Sequence, residues 1–288
     1  MTNVLIAGCG YLGTTLGVLL DRLGHDVTGL RRDPSGLPAP ITPLAADLTR
    51  PDNLRVPDTD WLVFAVSANA RTEEAYRAAY PRALANLLDA FEERPPERVV
   101  FVSSTAVYGQ ADGEWVDEDS PTEPEGFNGR VLLEAEALLD ACPSRTTSLR
   151  LGGIYGPGRT RLVESVLNGE MDLPAGPAAH TNRIHRDDAA LAIVHLLELD
   201  EPDSIYNGVD RDPADRREVL TWLADRLDVP RPTVGSGTSA SSRGNKRVKS
   251  DRLVESGFEF RYPTFREGYE SVIAGLGASH WSPGEFGE

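Results

Sequence analysis

The six residues GCGYLG, numbered 8–13, constrain the fold of this chain more than any other stretch. They have the spacing G-x-G-x-x-G, they follow the apolar run NVLIAG, and they open a segment, TTLGVLLDRLG, with helical periodicity. A strand, a glycine-rich turn and a helix in this order are typical of a site that binds the pyrophosphate of a dinucleotide. Gly8 would allow the tight turn, Gly10 would let the backbone approach the phosphates, and Gly13 would let the helix pack closely on the strand.

Predicted strands and helices alternate through the residues that follow. The runs DVTGL, WLVFAV, RVVFVSS and TSLRLGGIYG are rich in residues that favour strands. The segment TEEAYRAAYPRALANLLDAFEE, between the second and third of these runs, carries an apolar stripe at helical spacing. This alternation predicts an α/β fold with a doubly wound parallel sheet of the Rossmann type.

The alternation becomes less regular after Gly156, where the helical segments HRDDAALAIVHLLEL and DRREVLTWLADRLD flank one strand, SIYNGV. The glycine- and serine-rich segment 234–245 predicts a flexible connection. We expect a Rossmann dinucleotide-binding core over residues 1–156. Residues 157–288 would form mainly a small substrate-binding lobe at the carboxyl edge of the sheet, with segments that return to the core.

The charge of the chain is strongly negative, with 45 acidic residues against 29 lysines and arginines and a net charge of −16. Such a surface repels nucleic acid and anionic membranes, so we expect neither as a partner. Two explanations stay open: adaptation to a high-salt, halophilic cytoplasm, where salt screens the repulsion, and an ordinary acidic protein. We expect a monomer or homodimer that acts on a small molecule.

The remaining composition favours a cytoplasmic protein without a metal. No apolar run approaches the ~18 residues of a membrane helix, and the first residues lack the basic region of a signal peptide. Cys9 and Cys142 are the only cysteines, and we expect both to be reduced thiols. No motif with metal-ligand spacing is present.

The end of the second predicted strand indicates which dinucleotide binds. An acidic residue there would bind a ribose 2′-hydroxyl, whereas this chain has Arg31 and Arg32, whose guanidinium groups suit a 2′-phosphate. The sequence therefore favours NADP, and Asp33, slightly further on, keeps NAD as the alternative. Asp47 could bond the adenine amino group or could simply cap a helix. The residues predicted to contact the dinucleotide are Gly8, Gly10, Tyr11, Leu12, Gly13, Arg31, Arg32, Asp47, Leu48, Ala65 and Val66.

Four further motifs resemble the extended short-chain dehydrogenase/reductase family, which includes NAD(P)-dependent sugar-nucleotide epimerases and dehydratases. VVFVSSTAVYG (Val99–Gly109) is similar to the fifth-strand motif of that family, and LRLGGIYGPGR (Leu149–Arg159) to its sixth-strand motif. NRIHRDDAALAIV (Asn182–Val194) and YNGVDRDPADRREVLTWLADRL (Tyr206–Leu227) resemble its substrate-lobe signatures. The resemblance runs from residue 1 to about residue 270. It implies the Rossmann fold, a nicotinamide dinucleotide and a small-molecule substrate.

The tyrosine and lysine that do the chemistry in that family are missing from the matching helix. In the family the tyrosine acts as general acid/base and a lysine four residues later lowers its pKa, since a phenol with a pKa near ~10 is otherwise a poor base at neutral pH. The matching stretch is GFNGRVLLEAEALL. One alignment puts Asn128 and Leu132 at the two positions, and another puts Gly126 and Arg130 there.

No alignment can supply the lysine, because Lys246 and Lys249 are the only lysines of the chain. The chain is closer to an atypical branch of the family, in which Gly-Arg near this helix replaces the usual pair, as Gly129-Arg130 does here. By this resemblance Arg130 could contact the nicotinamide ribose or a substrate phosphate. It could equally be a solvent-facing residue of the first helical turn.

Three residues are predicted to be catalytic. Ser104 matches the serine or threonine with which the family steadies the substrate hydroxyl, and Arg130 would do part of the work of the lost lysine. His185 is the best titratable candidate for the proton donor, because imidazole titrates near neutral pH, although it could instead cap a helix or pack between the lobes. Arg183 beside it could bind an anionic substrate. Weaker candidates for the donor are Tyr108, Tyr155 and His180.

Two functions remain open. The first is an NAD(P)-dependent oxidoreductase or epimerase that acts on a small polar or sugar-like substrate with a non-standard proton donor. The second is an NADP-binding sensor or regulatory protein without turnover, which the missing pair favours. Because Ser104 and the substrate-lobe motifs are retained, the enzyme is the working hypothesis.

Overall fold

The structure, a computed structural model, describes residues 1–235 and 244–276. Eleven strands are found within these residues: β1 (Asn3–Ala7), β2 (Asp26–Arg31), β3 (Thr42–Ala45), β4 (Trp61–Phe64), β5 (Arg98–Ser104), β6 (Glu114–Val116), β7 (Arg145–Leu151), β8 (Gly153–Tyr155), β9 (Arg183–His185), β10 (Ile205–Gly208) and β11 (Lys246–Val248). The helices are α1 (Tyr11–Arg22), α2 (Glu73–Arg77), α3 (Ala83–Asp89), α4 (Phe127–Leu138), α5 (Arg161–Leu167), α6 (Arg186–Glu198), α7 (Arg216–Arg226), α8 (Asp251–Glu255) and α9 (Phe265–Leu276).

Seven parallel strands form the central sheet, in the order β10-β7-β5-β4-β1-β2-β3. Helices cover both faces, which explains why the strands are continuous apolar runs. Val4 and Ile6 of β1 pack in one apolar cluster with α1 and α6, whereas Leu5 and Ala7 pack in another with α3 and α4. The predicted doubly wound α/β fold is confirmed.

The order of the strands reverses direction at β1. This strand pairs with β2 on one side and with β4 on the other, and the later strands extend the sheet beyond β4. In open α/β sheets the carboxyl ends of the strands at such a reversal form the crevice in which ligands bind. The turn at residues 8–13 and the ends of β4 and β5 therefore meet where a ligand is expected.

Two predicted elements are interrupted in the structure. The strand predicted over 147–156 is divided: β7 stays in the central sheet, whereas β8 leaves it and pairs with β9. Gly152 lies at the break between β7 and β8. A Cβ atom there would be 3.0 Å from the backbone nitrogen of Arg183, so a side chain would push β9 away from this break. The long helix predicted after β4 is divided by a π-helical turn at Ala78–Arg82, which contains Pro81. Proline has no N–H to donate and so interrupts the helical hydrogen bonds.

Residues 236–243 of the predicted flexible connection lie outside the described residues. Within the described part of the chain, no helix combines the length and the apolar character that crossing a bilayer requires. Cys9 and Cys142 are free thiols, as predicted, and burial raises the pKa of Cys9 to about 11.

Candidate active site

The glycine turn between β1 and α1 has the geometry of an anion-binding loop. Gly8 has a φ of +88°, and a Cβ atom on it would lie 2.5 Å from the backbone nitrogen of Val66 and 2.6 Å from the carbonyl carbon of Ala65. A Cβ atom on Gly13 would lie 2.9 Å from the Gly8 oxygen. Among the described residues, a Cβ atom on Gly10 would meet only the Gly8 oxygen, at 3.9 Å. The space beside Gly10 and the free N–H groups that begin α1 therefore fit a pyrophosphate.

The residues predicted to distinguish NADP from NAD and to contact the adenine lie at the carboxyl ends of β2 and β3. Arg32 is exposed, whereas Arg31 is half-buried and donates a hydrogen bond from Nη1 to the Cys9 oxygen at 3.3 Å. Asp47 accepts hydrogen bonds from the backbone nitrogen and hydroxyl of Thr49, at 3.0 and 2.7 Å, and these bonds lower the pKa of its carboxyl. Asp47 thus stabilises its own turn. Leu48 next to it is buried.

A cleft of about 890 Å³ opens at the carboxyl edge of the sheet. Its walls include residues 68–71 after β4, 104–106 after β5 and 152–153 after β7. Its other walls come from the residues before and at the start of α4, from residues 180–182, and from the segment that leads into β11. The cleft thus lies at the ends of β4, β5 and β7, and its wall after β4 begins two residues beyond Val66, whose backbone contacts Gly8.

Ser104 lies in the wall of this cleft. Its Oγ accepts a hydrogen bond from the backbone nitrogen of Ala106 at 3.2 Å, so its hydroxyl hydrogen stays available to another acceptor. The start of α4 packs against the same turn: a Cβ atom on Gly129 would lie 2.4 Å from the Ala106 oxygen, so only glycine fits there. Asn128, one residue earlier, lines the cleft.

Arg130 is not in the cleft wall. Its side chain is exposed, and its guanidinium donates to the Glu125 carbonyl oxygen just before α4. The two residues of the Gly-Arg pair therefore have different surroundings. Gly129 allows α4 to approach the turn after β5, whereas the Arg130 side chain lies outside the cleft. The expected contact of Arg130 with ribose or phosphate has no support in this arrangement.

His185 is also outside the cleft. It caps α6, since its Nδ1 accepts from the Asp187 nitrogen at 3.2 Å, and its Nε2 lies 3.1 Å from the Ser271 hydroxyl. Its ring is 3.9 Å from that of Tyr262, and its exposed fraction is 0%. Burial lowers its pKa to about 4. Capping of α6 and packing against Ser271 and Tyr262 account for these contacts of His185, so we do not retain it as the proton donor.

Tyr108, Tyr155 and Arg183, the other expected donors and anion ligand, are buried as well. The Tyr108 hydroxyl is buried between Asn207, at 2.9 Å, and Arg150, at 3.0 Å. Tyr155 is buried, and burial raises its pKa. Arg183 is buried beneath the lobe with its guanidinium against Thr181.

Tyr76 is the tyrosine that the sequence did not single out. It lies on α2, lines the cleft and is half-buried. Its ring stands edge-on to Phe127, the first residue of α4, with 5.4 Å between the centroids. Within the described residues its hydroxyl makes no hydrogen bond, whereas the neighbouring Tyr80 bonds the backbone of Ala68, and burial raises the Tyr80 pKa to about 12. No local pattern distinguishes Tyr76 from any other helical tyrosine.

His180 and Lys246 also reach the cleft. His180 Nδ1 lies 3.1 Å from Asn245 Oδ1, and Lys246 Nζ donates to the Tyr108 oxygen at 2.7 Å. The rarity of lysine in this chain was a signal that could have identified Lys246. In residues 1–235 and 244–276, no group of three or more histidine, cysteine or carboxylate side chains is arranged to hold a metal ion.

A buried polar network fixes α4 behind the cleft. Glu136 on α4 accepts two bonds from Arg150 on β7, at 3.1 and 2.7 Å, and one from Ser103 on β5 at 2.5 Å. Arg150 also donates to the Tyr108 hydroxyl, which in turn donates to Asn207 on β10. The network joins three strands to the helix that begins at the cleft.

A second link joins the glycine turn to the lobe. The hydroxyl of Tyr11, the first residue of α1, donates to the Pro157 oxygen at 2.9 Å. The guanidinium groups of Arg159 and Arg186 lie 4.1 and 5.3 Å from the centre of its ring. Burial raises the pKa of Tyr11 to about 12, so its hydroxyl serves as a donor in this link.

Comparison with known sequences identifies relatives along nearly the whole chain. The Escherichia coli protein YeeZ is 32% identical over 277 residues, which cover 91% of this chain and 97% of YeeZ. The 3-diazoavenalumate denitrifying reductase of Streptomyces sp. is 30% identical over 262 residues, which cover 80% of this chain and 83% of the reductase.

Solved structures share the fold. A proposed NAD-dependent epimerase/dehydratase from Methylobacillus flagellatus is 40% identical, with a TM-score of 0.79, and the match covers 96% of this chain and 98% of that one. Two more distant structures show the fold alone. Human SDR39U1 with NADPH is 21% identical, with a TM-score of 0.80, and the match covers 94% of this chain and 99% of that one. MoeE5 with UDP-glucuronic acid and NAD is 23% identical, with a TM-score of 0.82, and the match covers 97% of this chain and 100% of that one.

The model of the NAD dependent epimerase/dehydratase family matches residues 4–207. This match runs from the second residue of β1 to the third residue of β10 and so includes nearly all of the central sheet, the glycine turn, Ser104 and α4. This chain belongs to the NAD-dependent epimerase/dehydratase family.

Proposed function

We propose that this chain is an NADP-dependent oxidoreductase or epimerase that acts on a small polar or sugar-like substrate in the cleft. Two observations carry the proposal: a cleft at the carboxyl ends of β4, β5 and β7, and a glycine turn at the end of β1 whose geometry fits a pyrophosphate. The similarity to a reductase of 30% identity supports the same class of reaction.

NADP is proposed over NAD because of the charge at the end of β2. Arg32 is exposed there and interacts with Asp47 only at longer range, so its guanidinium is available to bind a 2′-phosphate. The distant structures hold NADPH in one case and NAD in the other, so the choice rests on the arginines. Gly8, Gly10, Gly13 and the start of α1 would hold the pyrophosphate.

When bound, the nicotinamide supplies or accepts a hydride at the substrate carbon. Ser104 would donate its hydroxyl hydrogen to the substrate oxygen, because its lone pair already accepts the bond from Ala106. Asn128 would offer an amide to a second polar group of the substrate. These two side chains orient the substrate and leave the proton to another group.

Tyr76 is the proposed proton donor in place of His185. Tyr76 lines the cleft, its hydroxyl has no hydrogen-bond partner among the described residues, and its ring contacts the first residue of α4. The phenol would thus act beside the helix on which the family carries its tyrosine. A phenol suits the reductive direction, in which the oxygen gains a proton as the carbon gains hydride.

The test compares Tyr76→Phe with Tyr80→Phe. Tyr80 lies one helical turn away and does not itself line the cleft. Its variant removes the same phenol hydroxyl, which bonds the backbone of Ala68 behind the wall and does not face the substrate. NADPH oxidation is measured against a panel of aldehydes, ketones and nucleotide-linked sugars, with epimerisation followed by chromatography.

We expect Tyr76→Phe to lower turnover about 10²–10⁴-fold, the usual contribution of a general acid. Its affinity for NADPH should not change, and Tyr80→Phe should keep its activity. Equal turnover in the two variants would exclude Tyr76 as donor. Tight binding of NADPH without any turnover across the panel would overturn the enzymatic proposal.

A further inference from the structure

Lys246 is a buried cation at the wall of the cleft. It begins β11, which pairs with β6, and its exposed fraction is 4%. Its ammonium donates to the carbonyl oxygen of Tyr108, four residues after Ser104 along the chain. The ammonium therefore lies on the turn that follows β5, beside the residues proposed to hold the substrate.

This cation has no ion-pair partner among the described residues, although the chain has a large excess of carboxylates. Lysine is rarely buried unless it is paired, because removing an ammonium from water costs free energy. Glu114 on β6 acts on Lys246 only at longer range, and its carboxylate accepts from the Asp112 nitrogen at 2.8 Å. An ammonium has three donors, and Tyr108 accepts one of them.

The cleft wall differs in charge from the rest of the protein. Its basic residues are Arg71 and Lys246, and His180 is a further titratable group. Within the described part of the chain, Glu125 is the one acidic residue of the wall. The whole chain, by contrast, carries 45 acidic and 29 basic residues. A cationic cleft in an acidic protein favours an anionic ligand over a neutral or cationic one.

We propose that the Lys246 ammonium binds an anionic group of the substrate, a carboxylate or a phosphate, and so restricts the substrate to anionic compounds. This proposal rests on the proposed function, since it assumes that the substrate occupies the cleft. Lys246 acts as a positioning residue: it holds the anionic end while Ser104 and Tyr76 face the reacting oxygen. Burial also lowers the pKa of Lys246, and a bound anion would raise it again.

The composition of the chain allows a test on the wild-type protein. Lys246 and Lys249 are the only lysines, so acetylation by a neutral reagent gives two side-chain products that peptide mass spectrometry separates. Lys249 is half-buried, three residues away and absent from the cleft wall, which makes it the internal control. Acetylation rates are measured with inorganic phosphate, with malonate, and with sodium chloride at equal ionic strength.

We expect phosphate or malonate to slow acetylation of Lys246 about tenfold at saturation, because a rise of one pKa unit lowers the neutral-amine fraction tenfold. Lys249 should respond no more than it does to chloride. Protection by phosphate alone identifies a phosphorylated substrate, and protection by malonate alone a carboxylate. Equal protection of both lysines, or none at Lys246, would overturn the proposal. The result does not depend on the glycine turn, so it is distinct from a failure to bind NADPH.

Discussion

The buried salt bridge between Arg150 and Glu136 gives a quantitative test of what holds α4 against the central sheet. The side chains are 4% and 10% exposed, and they form a bidentate pair that also binds Ser103 and Tyr108. Replacing Arg150 by methionine keeps most of the volume and leaves the Glu136 carboxylate buried without its cation. Removing one partner of a buried pair costs about 3–5 kcal/mol. That is a large part of the roughly 5–15 kcal/mol that holds a typical domain folded.

A matched control is available on the surface. Arg231 and Asp225 form the same bidentate geometry, at 2.6 and 2.7 Å, but both side chains are largely exposed. Because water and salt screen such a pair, Arg231→Met should change stability far less than Arg150→Met. The two variants therefore remove the same chemical contact in two dielectric environments.

The assay is equilibrium unfolding in urea, followed by far-ultraviolet circular dichroism at fixed salt. The double variant Arg150→Met/Glu136→Met should be more stable than the sum of the single changes predicts, by about 0.5–3 kcal/mol, because neither charge is then left alone. A loss below about 1 kcal/mol for Arg150→Met, or equal losses for Arg150→Met and Arg231→Met, would refute the reasoning.

Three further predictions concern the cofactor turn and the cap of α6. Gly10→Ala should unfold like the wild type, since its Cβ meets no other protein atom closer than 3.9 Å, but it should lose NADPH binding in a fluorescence titration because the methyl group occupies the pyrophosphate site. Gly13→Ala should lose stability, because its Cβ would lie 2.9 Å from the Gly8 oxygen. The reverse pattern would contradict the assigned turn. Arg32→Ala should weaken NADPH by roughly 1–3 kcal/mol and leave NADH nearly unchanged, and equal losses for both would exclude recognition of a 2′-phosphate. His185 takes up a proton near pH 6.5 in the unfolded chain but only near pH 4 in the folded one, so the wild type loses stability as the pH falls through this window. His185→Asn keeps a capping side chain and removes this titration. The variant should therefore gain about 3 kcal/mol on the wild type between pH 6.5 and 4, and parallel pH profiles would rule this out.

The sheet and the glycine turn could be predicted because their signals are local. Strand-forming runs, the spacing of the glycines and the alternation with helices are all read within about thirty residues. Gly8, Gly10 and Gly13 then take the three steric environments that the motif requires. The break at Gly152 was missed because its cause, the close backbone of Arg183, comes from a segment thirty residues later.

The cleft could not be predicted to the same degree, because its residues meet only after folding. His185 and Lys246 are both ionisable groups of the second half of the chain. The sequence favoured His185, which is buried outside the cleft wall, whereas Lys246 lines the cleft. His185 sits at a helix start, where capping and ring packing bury it, while Lys246 is carried to the cleft by the pairing of β11 with β6. The local sequence offers capping of a helix by His185 as an alternative, whereas the strand pairing that brings Lys246 to the cleft leaves no trace among neighbouring residues.

The packing of α6 against α1 has a consequence for how the chain can be cut. Ten of the thirteen residues of α6 are buried, and its Ile193 and Leu196 share one apolar cluster with Leu16 and Leu20 of α1. A fragment that ended at residue 156 would expose this face of α1 and would also leave β7 as an open sheet edge, since β10 would be gone. Exposed edges and apolar faces favour aggregation. We therefore expect the core and the lobe to unfold as one cooperative unit, and we expect a fragment of residues 1–156 not to bind a dinucleotide.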